Sequence, residues 1–294
     1  MRRLIVNADD FGFTSGVNRA IMEAHTRGIV TSSTLMANGA AFSEAALLAT
    51  ANPLLSVGCH VVLIDGEPAL DAQQLPTLTA QGRFRDGLKT FAARAIAGRM
   101  KADEIRAEAS AQIRKIQAAR ISVSHVDTHK HTHLFPTILR PVLRAAAECG
   151  VRAVRNPFGP RMPLRSSQLL RRPNLWTRYA ETRVLSRFAG KFLEAVDRDG
   201  FATPDGTLGI EVTGTLDETL FHAIAQSIPE GTWEFVCHPG YNDSDLRAAT
   251  TRLRESREIE LRALTLPAAR EVLYQQGIQL ISYRELRESG SRTG

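Results

Sequence analysis

The chain alternates short aliphatic runs with longer segments of helical spacing. Thr14 and Ser15, for example, precede apolar residues spaced like one face of a helix, and Gly28 ends that pattern. Strand-like runs lie at 4–6, 31–36, 55–63, 123–128, 151–155, 208–212, 233–237 and 278–281. Strands that alternate with helices indicate a parallel sheet covered by helices.

About eight such units predict a single α/β domain, a TIM-like but irregular (β/α) barrel that spans residues 1–294. An open, doubly wound sheet is the alternative. The nucleotide-binding form of that fold carries a glycine-rich phosphate loop after its first strand, and none follows residues 4–6. The barrel is therefore the architecture that we expect.

The composition excludes several broad classes of protein. With 43% hydrophobic and 23% charged residues, the chain is not disordered, and no stretch approaches the roughly 20 apolar residues of a membrane-spanning helix. Cys59, Cys149 and Cys237 are odd in number and far apart, which argues against a disulfide framework or a thiolate metal site. We expect a cytoplasmic protein. Its net charge of +6 does not by itself indicate nucleic acid.

The segment 161–192 departs from the strand and helix alternation. It contains many lysine and arginine residues but one acid, Glu181, and apolar side chains are interspersed among the cations. One interpretation is an insertion after the fifth strand that packs its apolar residues on the barrel. The other is a basic amphipathic segment on an anionic membrane surface, which would place the protein at the inner face of the membrane.

Acidic and imidazole side chains follow several of the predicted strands. Asp9 and Asp10 come directly after the first strand, where barrel enzymes place their catalytic groups. Adjacent acids can also form a turn or cap a helix. His60 and His238 lie in or at the end of apolar strands, where a lone histidine is more often a hydrogen-bonded core residue.

The strongest signal is the histidine-rich stretch at 125–133. In an extended chain one side of this stretch would present His125, Asp127, His129, His131 and His133. A purely structural role explains such a cluster poorly, because each buried imidazole would need its own polar partner. Metal binding or acid–base chemistry is the better interpretation.

These residues together predict a metal site rather than covalent chemistry. One aspartate and two histidines around a divalent ion leave positions open for water and substrate. The neighbouring carboxylate of Asp9 or Asp10 can accept a proton from the water, and His238 can protonate a leaving group. The sequence has no Gly-x-Ser-x-Gly nucleophile elbow.

Four motifs, in this order along the chain, resemble the YdjC (ChbG-like) carbohydrate deacetylase family. They are Asn7-Ala8-Asp9-Asp10-Phe11-Gly12, Gly58-Cys59-His60, Asp127-Thr128-His129-Lys130-His131-Thr132-His133 with Phe135-Pro136, and His238-Pro239-Gly240. The resemblance implies an irregular (β/α) barrel that removes N-acetyl groups from amino sugars with the help of a divalent metal.

The resemblance also implies roles for individual residues. Asp10, His60 and His129 would hold one divalent ion, Mg²⁺ or Zn²⁺, with Mn²⁺ and Co²⁺ as further candidates. Asp9 would be the general base and His238 the general acid.

The remaining polar residues of these motifs have less defined roles. We expect Arg155 and His131 to contact the substrate, although a salt bridge at the barrel rim is the alternative for Arg155. Support of the metal ligands is our first interpretation of His131 and His133, and the role of His125 is left open.

Within the family the chain looks most like the HpnK subgroup, which is associated with hopanoid biosynthesis, at residues 4–18, 60–68 and 151–157. That likeness implies an N-acetylglucosaminyl hopanoid as substrate and gives 161–192 a use as a membrane-contacting surface. The chain departs from the family at Cys59, where a larger apolar residue is common, and at Lys130, where the chitobiose-type branch can have histidine.

Other functions stay open. One is deacetylation of soluble N-acetylated oligosaccharides such as diacetylchitobiose, and another is a metal-dependent phosphoesterase. A non-catalytic membrane or nucleic-acid binder would leave the histidines unexplained. The expected partners are thus an N-acetylated amino sugar or glycolipid and a membrane surface, without nucleic acid, and a homodimer is left open.

Overall fold

The computed structural model describes residues 1–160 and 185–290. The strands are β1 Arg2–Phe11, β2 Ser32–Leu35, β3 Ser56–Val61, β4 Thr79–Ala80, β5 Arg83–Phe84, β6 Val126–Thr128, β7 Gly206–Leu208, β8 Gly231–Cys237 and β9 Ile278–Ile281. The helices are α1 Ser15–Thr26, α2 Phe42–Ala51, α3 Leu88–Ile96, α4 Ala102–Ala118, α5 Pro136–Glu148, α6 Ala189–Arg198, α7 Glu218–Ser227, α8 Ser244–Ala248, α9 Glu255–Thr265, α10 Pro267–Gln275 and α11 Tyr283–Gly290.

A curled sheet of parallel strands forms the centre of the molecule. Its strand order is β6-β3-β2-β1-β8-β7, and β9 pairs with the first residues of β1. Beyond β6, single bridges join Val126 to Val154 and Ala153 to Ala202. The N–H of Thr207 then donates to the carbonyl of Phe158 at 3.1 Å. The sheet therefore continues around as an irregular barrel, as the alternation of strands and helices predicts.

The predicted fifth strand, at 151–155, is the main departure from the expected pattern. The structure has isolated bridges at Ala153 and Val154 in place of a strand. Pro157 follows two residues after Arg155 and has no N–H to continue a ladder. The barrel is thus most irregular in the part of its wall that holds Arg155.

Helix α1 shows how the helices pack on the sheet. Its N-cap, Thr14, accepts a hydrogen bond from the N–H of Val17, and Val17, Ala20 and Ile21 lie on its buried face. These side chains belong to the same core as the buried residues of β1, such as Val6. The capped helix that the sequence predicts after the first strand is confirmed.

The connection from β3 to α3 extends past the end of the barrel and contains the β4–β5 hairpin. Helix α4 holds it in place: Glu108 accepts the N–H groups of Ala69 and Leu70 at 2.7 and 3.0 Å. Gln112 bonds both backbone groups of Val62, at 2.8 and 2.7 Å. The loop that begins two residues after His60 is therefore fixed at its start.

The basic segment expected at 161–192 is described from residue 185 onward, and its first 24 residues, 161–184, lie outside the described residues. Phe192 is buried against His133 and Phe158, and Phe188 contacts Phe135. The end of the segment therefore packs on the barrel. Within the described ranges, no helix has the length and apolar character needed to cross a membrane.

Candidate metal centre

Three predicted ligands converge at the carboxyl ends of β1, β3 and β6. The Nε2 atom of His60 lies 3.2 Å from Nδ1 of His129, and both nitrogens lie 3.5 Å from Oδ1 of Asp10. Three ligand atoms around a tetrahedral ion at about 2.1 Å would be about 3.4 Å apart. The positions and chemistry of these groups therefore fit a divalent cation.

A break in the regular geometry of β1 brings two adjacent aspartates to this site. Side chains of a regular strand alternate between the two faces, so Asp9 and Asp10 would point apart. The pairing of β1 with β2 shifts register between Ala8 and Phe11, and Asp10 has a φ of 69°. This irregularity lets both carboxylates lie near His60.

Asp127 orients the ring of His60. The Nδ1 atom of His60 lies 2.8 Å from Oδ1 of Asp127, and both side chains are buried. Burial alone would lower the pKa of His60, but the carboxylates of Asp127, Asp9 and Asp10 raise it to about 9. With Nδ1 bonded to Asp127, the Nε2 atom is left to face Asp10 and His129.

Asp9 is bound by Arg155 through two hydrogen bonds. Nη1 and Nη2 of Arg155 donate to the two carboxylate oxygens at 2.8 and 2.6 Å. Burial would raise the pKa of Asp9, but the positive charge of Arg155 outweighs it and holds that pKa well below its usual range. Asp9 is therefore ionised at neutral pH.

Arg155 itself is fully buried. Its guanidinium also contacts Asp127 at 2.5 Å and Glu234 at 2.7 Å. The structure thus has the salt bridge that was the alternative for this residue, and it lies inside the barrel rather than at the exposed rim. The expectation that Arg155 contacts substrate is not supported, because all of its nitrogens face carboxylates.

A second group of possible ligand atoms comes from Asp9, His60 and Asp127. Arg155 already forms salt bridges with both of these aspartates. A cation placed among them would lie beside the guanidinium and would be repelled by it. In the group with Asp10, one carboxylate is paired with an arginine, Arg257, which bonds Oδ2 and leaves Oδ1 facing the two imidazoles. That group is therefore the better candidate for a metal.

His238 faces Asp9 across the site. Its Nε2 atom lies 3.8 Å from Oδ2 of Asp9, and its Nδ1 atom lies 3.9 Å from Oε2 of Glu260. Burial lowers the pKa of His238 to about 4, against the opposing effect of Asp9. The imidazole is therefore neutral at neutral pH and can accept a proton. Glu260 also accepts the backbone N–H of His238 at 2.6 Å, which fixes the start of this loop.

The histidine-rich stretch does not remain extended, so the expectation that its alternate residues share one side is wrong beyond Thr128. Residues His129–Leu134 form a 3₁₀ turn, in which Lys130 and His131 have φ of 56° and 52°. The turn separates the side chains that alternation would have aligned. Of the histidines from 129 onward, His129 alone belongs to a group of candidate ligands within the described residues.

The other histidines of the stretch have separate environments. His133 is buried between Oγ1 of Thr128 at 2.8 Å and the carbonyl of Arg155 at 3.1 Å. His125 lies 2.9 Å from Oγ of Ser124 and stacks on a tyrosine ring. His131 is half-buried, and its Nδ1 has no hydrogen-bond partner in the part of the chain that the structure describes.

Comparisons with known proteins show the family of this chain. The model of the YdjC-like protein family matches residues 3–275. The chain belongs to the YdjC-like family. It is 33% identical to a carbohydrate deacetylase from Brevibacillus brevis, over 97% of this chain and 99% of that protein. It is 32% identical to a chitooligosaccharide deacetylase from Klebsiella pneumoniae, with the same coverage of each chain.

A solved structure has the same fold. This YdjC-like chain superposes with a TM-score of 0.78 on a proposed cellobiose-phosphate cleavage protein from Enterococcus faecalis, at 27% identity. The match covers 97% of this chain and 98% of the other. The irregular barrel is therefore shared along nearly the whole length.

A pocket of about 580 Å³ in this YdjC-like protein has Phe13 and Val62 in its wall, which closely follow the candidate ligands Asp10 and His60 in the sequence. The N–H of Phe13 in its wall bonds the carbonyl of Asp10, and Val62 is two residues from His60. Its apolar wall consists of Phe13, Met36, Ala40, Ala41, Val62, Ala248 and Ala249. Several polar side chains in the wall are bound within the protein: Thr14 caps α1, and Ser15 bonds Glu44. The pocket therefore offers mainly apolar surface.

Several residues of the site had no predicted role. Thr34 lies 3.1 Å from Asp9 and 3.2 Å from His60, and Arg257 of α9 donates to Oδ2 of Asp10 at 2.5 Å. Arg257 is buried and holds the pKa of Asp10 well below its usual range, against the effect of burial. In the sequence, Arg257 is one of two arginines on a charged helix and has no distinguishing signal. Only the fold brings it to Asp10.

Proposed function

We propose that this protein is a metal-dependent N-deacetylase of an amino sugar. The observation that carries the proposal is that one side-chain atom from each of Asp10, His60 and His129 lies within 3.5 Å of the other two. The ionised carboxylate of Asp9, which belongs to the same site, is not one of these three candidate ligands. The carbohydrate deacetylase names of the relatives support the same reaction class. Hydrolysis of an acetamide needs an activated water, a stabilised oxyanion and a protonated amine as leaving group.

Asp10, His60 and His129 would hold the ion. When bound, a divalent metal supplies Lewis acidity toward the acetamide carbonyl and makes water more acidic. Asp127 and Arg257 keep two of the ligands oriented, through Nδ1 of His60 and Oδ2 of Asp10. Two imidazoles with one carboxylate suit Zn²⁺, Mn²⁺ or Co²⁺, and Mg²⁺ would need additional oxygen ligands.

Asp9 and His238 divide the proton transfers. Asp9 is ionised and takes the proton of the attacking water, and Arg155 holds its carboxylate in place. The pairing with Arg155 makes Asp9 a weaker base but keeps it charged and aligned. Neutral His238, whose Nε2 lies 3.8 Å from Oδ2 of Asp9, receives this proton from Asp9 and gives it to the departing amine as the C–N bond breaks.

For the substrate we propose an N-acetylglucosaminyl hopanoid, with soluble oligosaccharides such as diacetylchitobiose as the second candidate. The mainly apolar pocket supports a substrate with an apolar part. The likeness to the HpnK subgroup supports the hopanoid in particular. The chitooligosaccharide deacetylase name of a relative supports the second candidate. His131, with an unpaired Nδ1 among the described residues, is proposed to contact the sugar.

If the substrate is a lipid, we expect the segment 161–192 to contact the membrane.

A metal-dependent phosphoesterase is the less favoured alternative. Two-metal phosphoesterases hold their ions about 3.5–4 Å apart, and the carboxylates that could hold a second ion here are bound to Arg155.

Acetate release tests the proposal most simply. Purified protein would be incubated with N-acetylglucosaminyl hopanoid, diacetylchitobiose and N-acetylglucosamine, each with and without a chelator. Chelator-sensitive acetate release from the lipid alone would support the hopanoid assignment, and release from the soluble sugars would support the second candidate. Release of phosphate from model esters, without acetate from any N-acetylated sugar, would overturn the deacetylase.

A further inference from the structure

Two buried residues that the proposed chemistry does not use lie behind Arg155. Glu234 is on β8, and Tyr283 begins α11, so the two are far apart along the chain. Both have no exposed surface. The hydroxyl of Tyr283 donates to Oε2 of Glu234 at 2.5 Å.

The carboxylate of Glu234 accepts hydrogen bonds from three side chains. Oε2 accepts from Tyr283 and, at 3.2 Å, from Oγ1 of Thr207, and Oε1 accepts from Nε and Nη2 of Arg155 at 2.9 and 2.7 Å. Arg155 then donates from Nη1 and Nη2 to Asp9. A continuous series of hydrogen bonds therefore runs from the phenol to the carboxylate that we propose as the base.

The phenol at the end of this series is held firmly. The ring of Tyr283 stacks on His125, with centroids 3.5 Å apart and planes 8° from parallel. Its backbone N–H donates to Oγ of Ser32 at 3.2 Å. Burial keeps the pKa of the phenol well above its usual value, and Glu234 raises it further, so the hydroxyl remains a donor. This environment also explains the position of His125.

We propose that Tyr283 and Glu234 are positioning residues that set the orientation of Asp9 through Arg155. Without the Tyr283 hydroxyl, Oε2 of Glu234 loses its shortest partner and keeps the longer bond from Oγ1 of Thr207, so the carboxylate is held less firmly and can turn toward Arg155. The guanidinium would then shift from Asp9 toward Glu234, because the two carboxylates compete for Nη2. The inference rests on the proposed function, in which Asp9 accepts a proton.

The test compares Tyr283→Phe with Tyr274→Phe. Tyr274 is 83% exposed on α10 and is the matched control for the loss of a phenol hydroxyl. Acetate release from the best soluble or lipid-linked substrate gives kcat and KM, and Zn²⁺ titration gives the metal affinity. We expect Tyr283→Phe to lower kcat about tenfold, with KM and metal affinity unchanged. Tyr274→Phe should match the wild type.

A second variant, Glu234→Gln, tests the same inference if Tyr283→Phe does not fold. Glu234→Gln keeps an acceptor for Tyr283 but removes the charge that faces Arg155, and it should also lower kcat while preserving KM and bound metal. A folded Tyr283→Phe with the wild-type kcat, or one that loses metal affinity instead, overturns the inference while the deacetylase stands. If the wild type releases no acetate from any substrate, the proposed function fails and the inference fails with it.

Discussion

Arg155 donates to both carboxylate oxygens of Asp9, and neither side chain is appreciably exposed to solvent. The two residues are 146 positions apart in the sequence, and the curled sheet brings them together across the barrel. A charge-assisted pair with this geometry fixes the direction of the carboxylate as well as its ionisation. Asp9 is thus an oriented acceptor beside the candidate metal ligands.

The first prediction concerns Asp9 itself. Asp9→Asn should keep the metal, since the three candidate ligands are intact, and should lower kcat by about 100-fold or more because the proton acceptor is gone. Metal content per chain and acetate release would be measured on the same preparation. Full activity in this variant would refute the assignment of Asp9 as the base.

A second prediction separates binding of the metal from catalysis. His129→Ala should lose the metal itself, because two remaining ligands bind a divalent ion weakly. His222→Ala is the control, since His222 lies on α7 and belongs to neither candidate ligand group. Zn²⁺ titration of both variants would be compared. Unchanged affinity after His129→Ala would rule out the proposed ligand set.

Arg257 should influence the metal through Asp10. Arg257→Gln removes the cation that bonds Oδ2 of Asp10, and we expect metal affinity to fall about 10–100-fold. The control is Arg262→Gln, an exposed position on the same helix. Equal affinity in both variants would mean that the bond to Arg257 does not orient the ligand.

Glu260 should make the stability of the protein depend on pH. Burial raises its pKa from 4.5 to about 7, although the N–H groups of His238 and Gly214 oppose the shift. Between these two values the folded state binds more protons than the unfolded state, so stability is lost as the pH rises. Over the full range, the free energy of unfolding should fall by about 3 kcal/mol.

Urea denaturation at several pH values tests this effect. Relative to Glu260→Gln, the wild type should become less stable from about pH 5 to about pH 8. Glu271→Gln, at an exposed position on α10, should follow the wild type. The prediction would be contradicted if the free energies of unfolding of the wild type and Glu260→Gln changed with pH in the same way.

The apolar pocket predicts a change of substrate preference. Ala248→Trp would fill part of it, whereas Ala107→Trp, on the exposed face of α4, would not. With alkyl glycosides of N-acetylglucosamine, Ala248→Trp should lower kcat/KM for a long chain about tenfold or more and leave the methyl glycoside unaffected. An equal loss on both glycosides would mean that the pocket does not bind the apolar group.

Much of the fold could be predicted from the sequence because periodicity reports which face of an element is buried. The pattern after Thr14 predicted α1, and the strand-like runs predicted most strands of the barrel. The carboxyl ends of those strands indicated where acidic and imidazole side chains gather, and the resemblance to the YdjC family implied that Asp10, His60 and His129 are the ligands. Periodicity failed where the backbone leaves regular geometry, at Asp10 and from His129 to Leu134, since alternation holds only in extended chain.

The supporting residues could not be predicted for a different reason. Arg257, Glu260 and Tyr283 lie on helices in the last part of the chain, and the partners that they bond lie 247, 22 and 49 residues earlier in the sequence. A buried charge has no local signature, because burial and pairing are set by the tertiary structure.

The most direct test of the account is reconstitution of the metal-free protein. Metal would be removed from the protein with a chelator, and Zn²⁺ would be added back in steps. Acetate release would be followed with an N-acetylated sugar that the untreated protein hydrolyses. We predict no acetate from the stripped protein and a rise in activity that levels off at one ion per chain. Acetate release that persists after complete removal of metal would contradict the account.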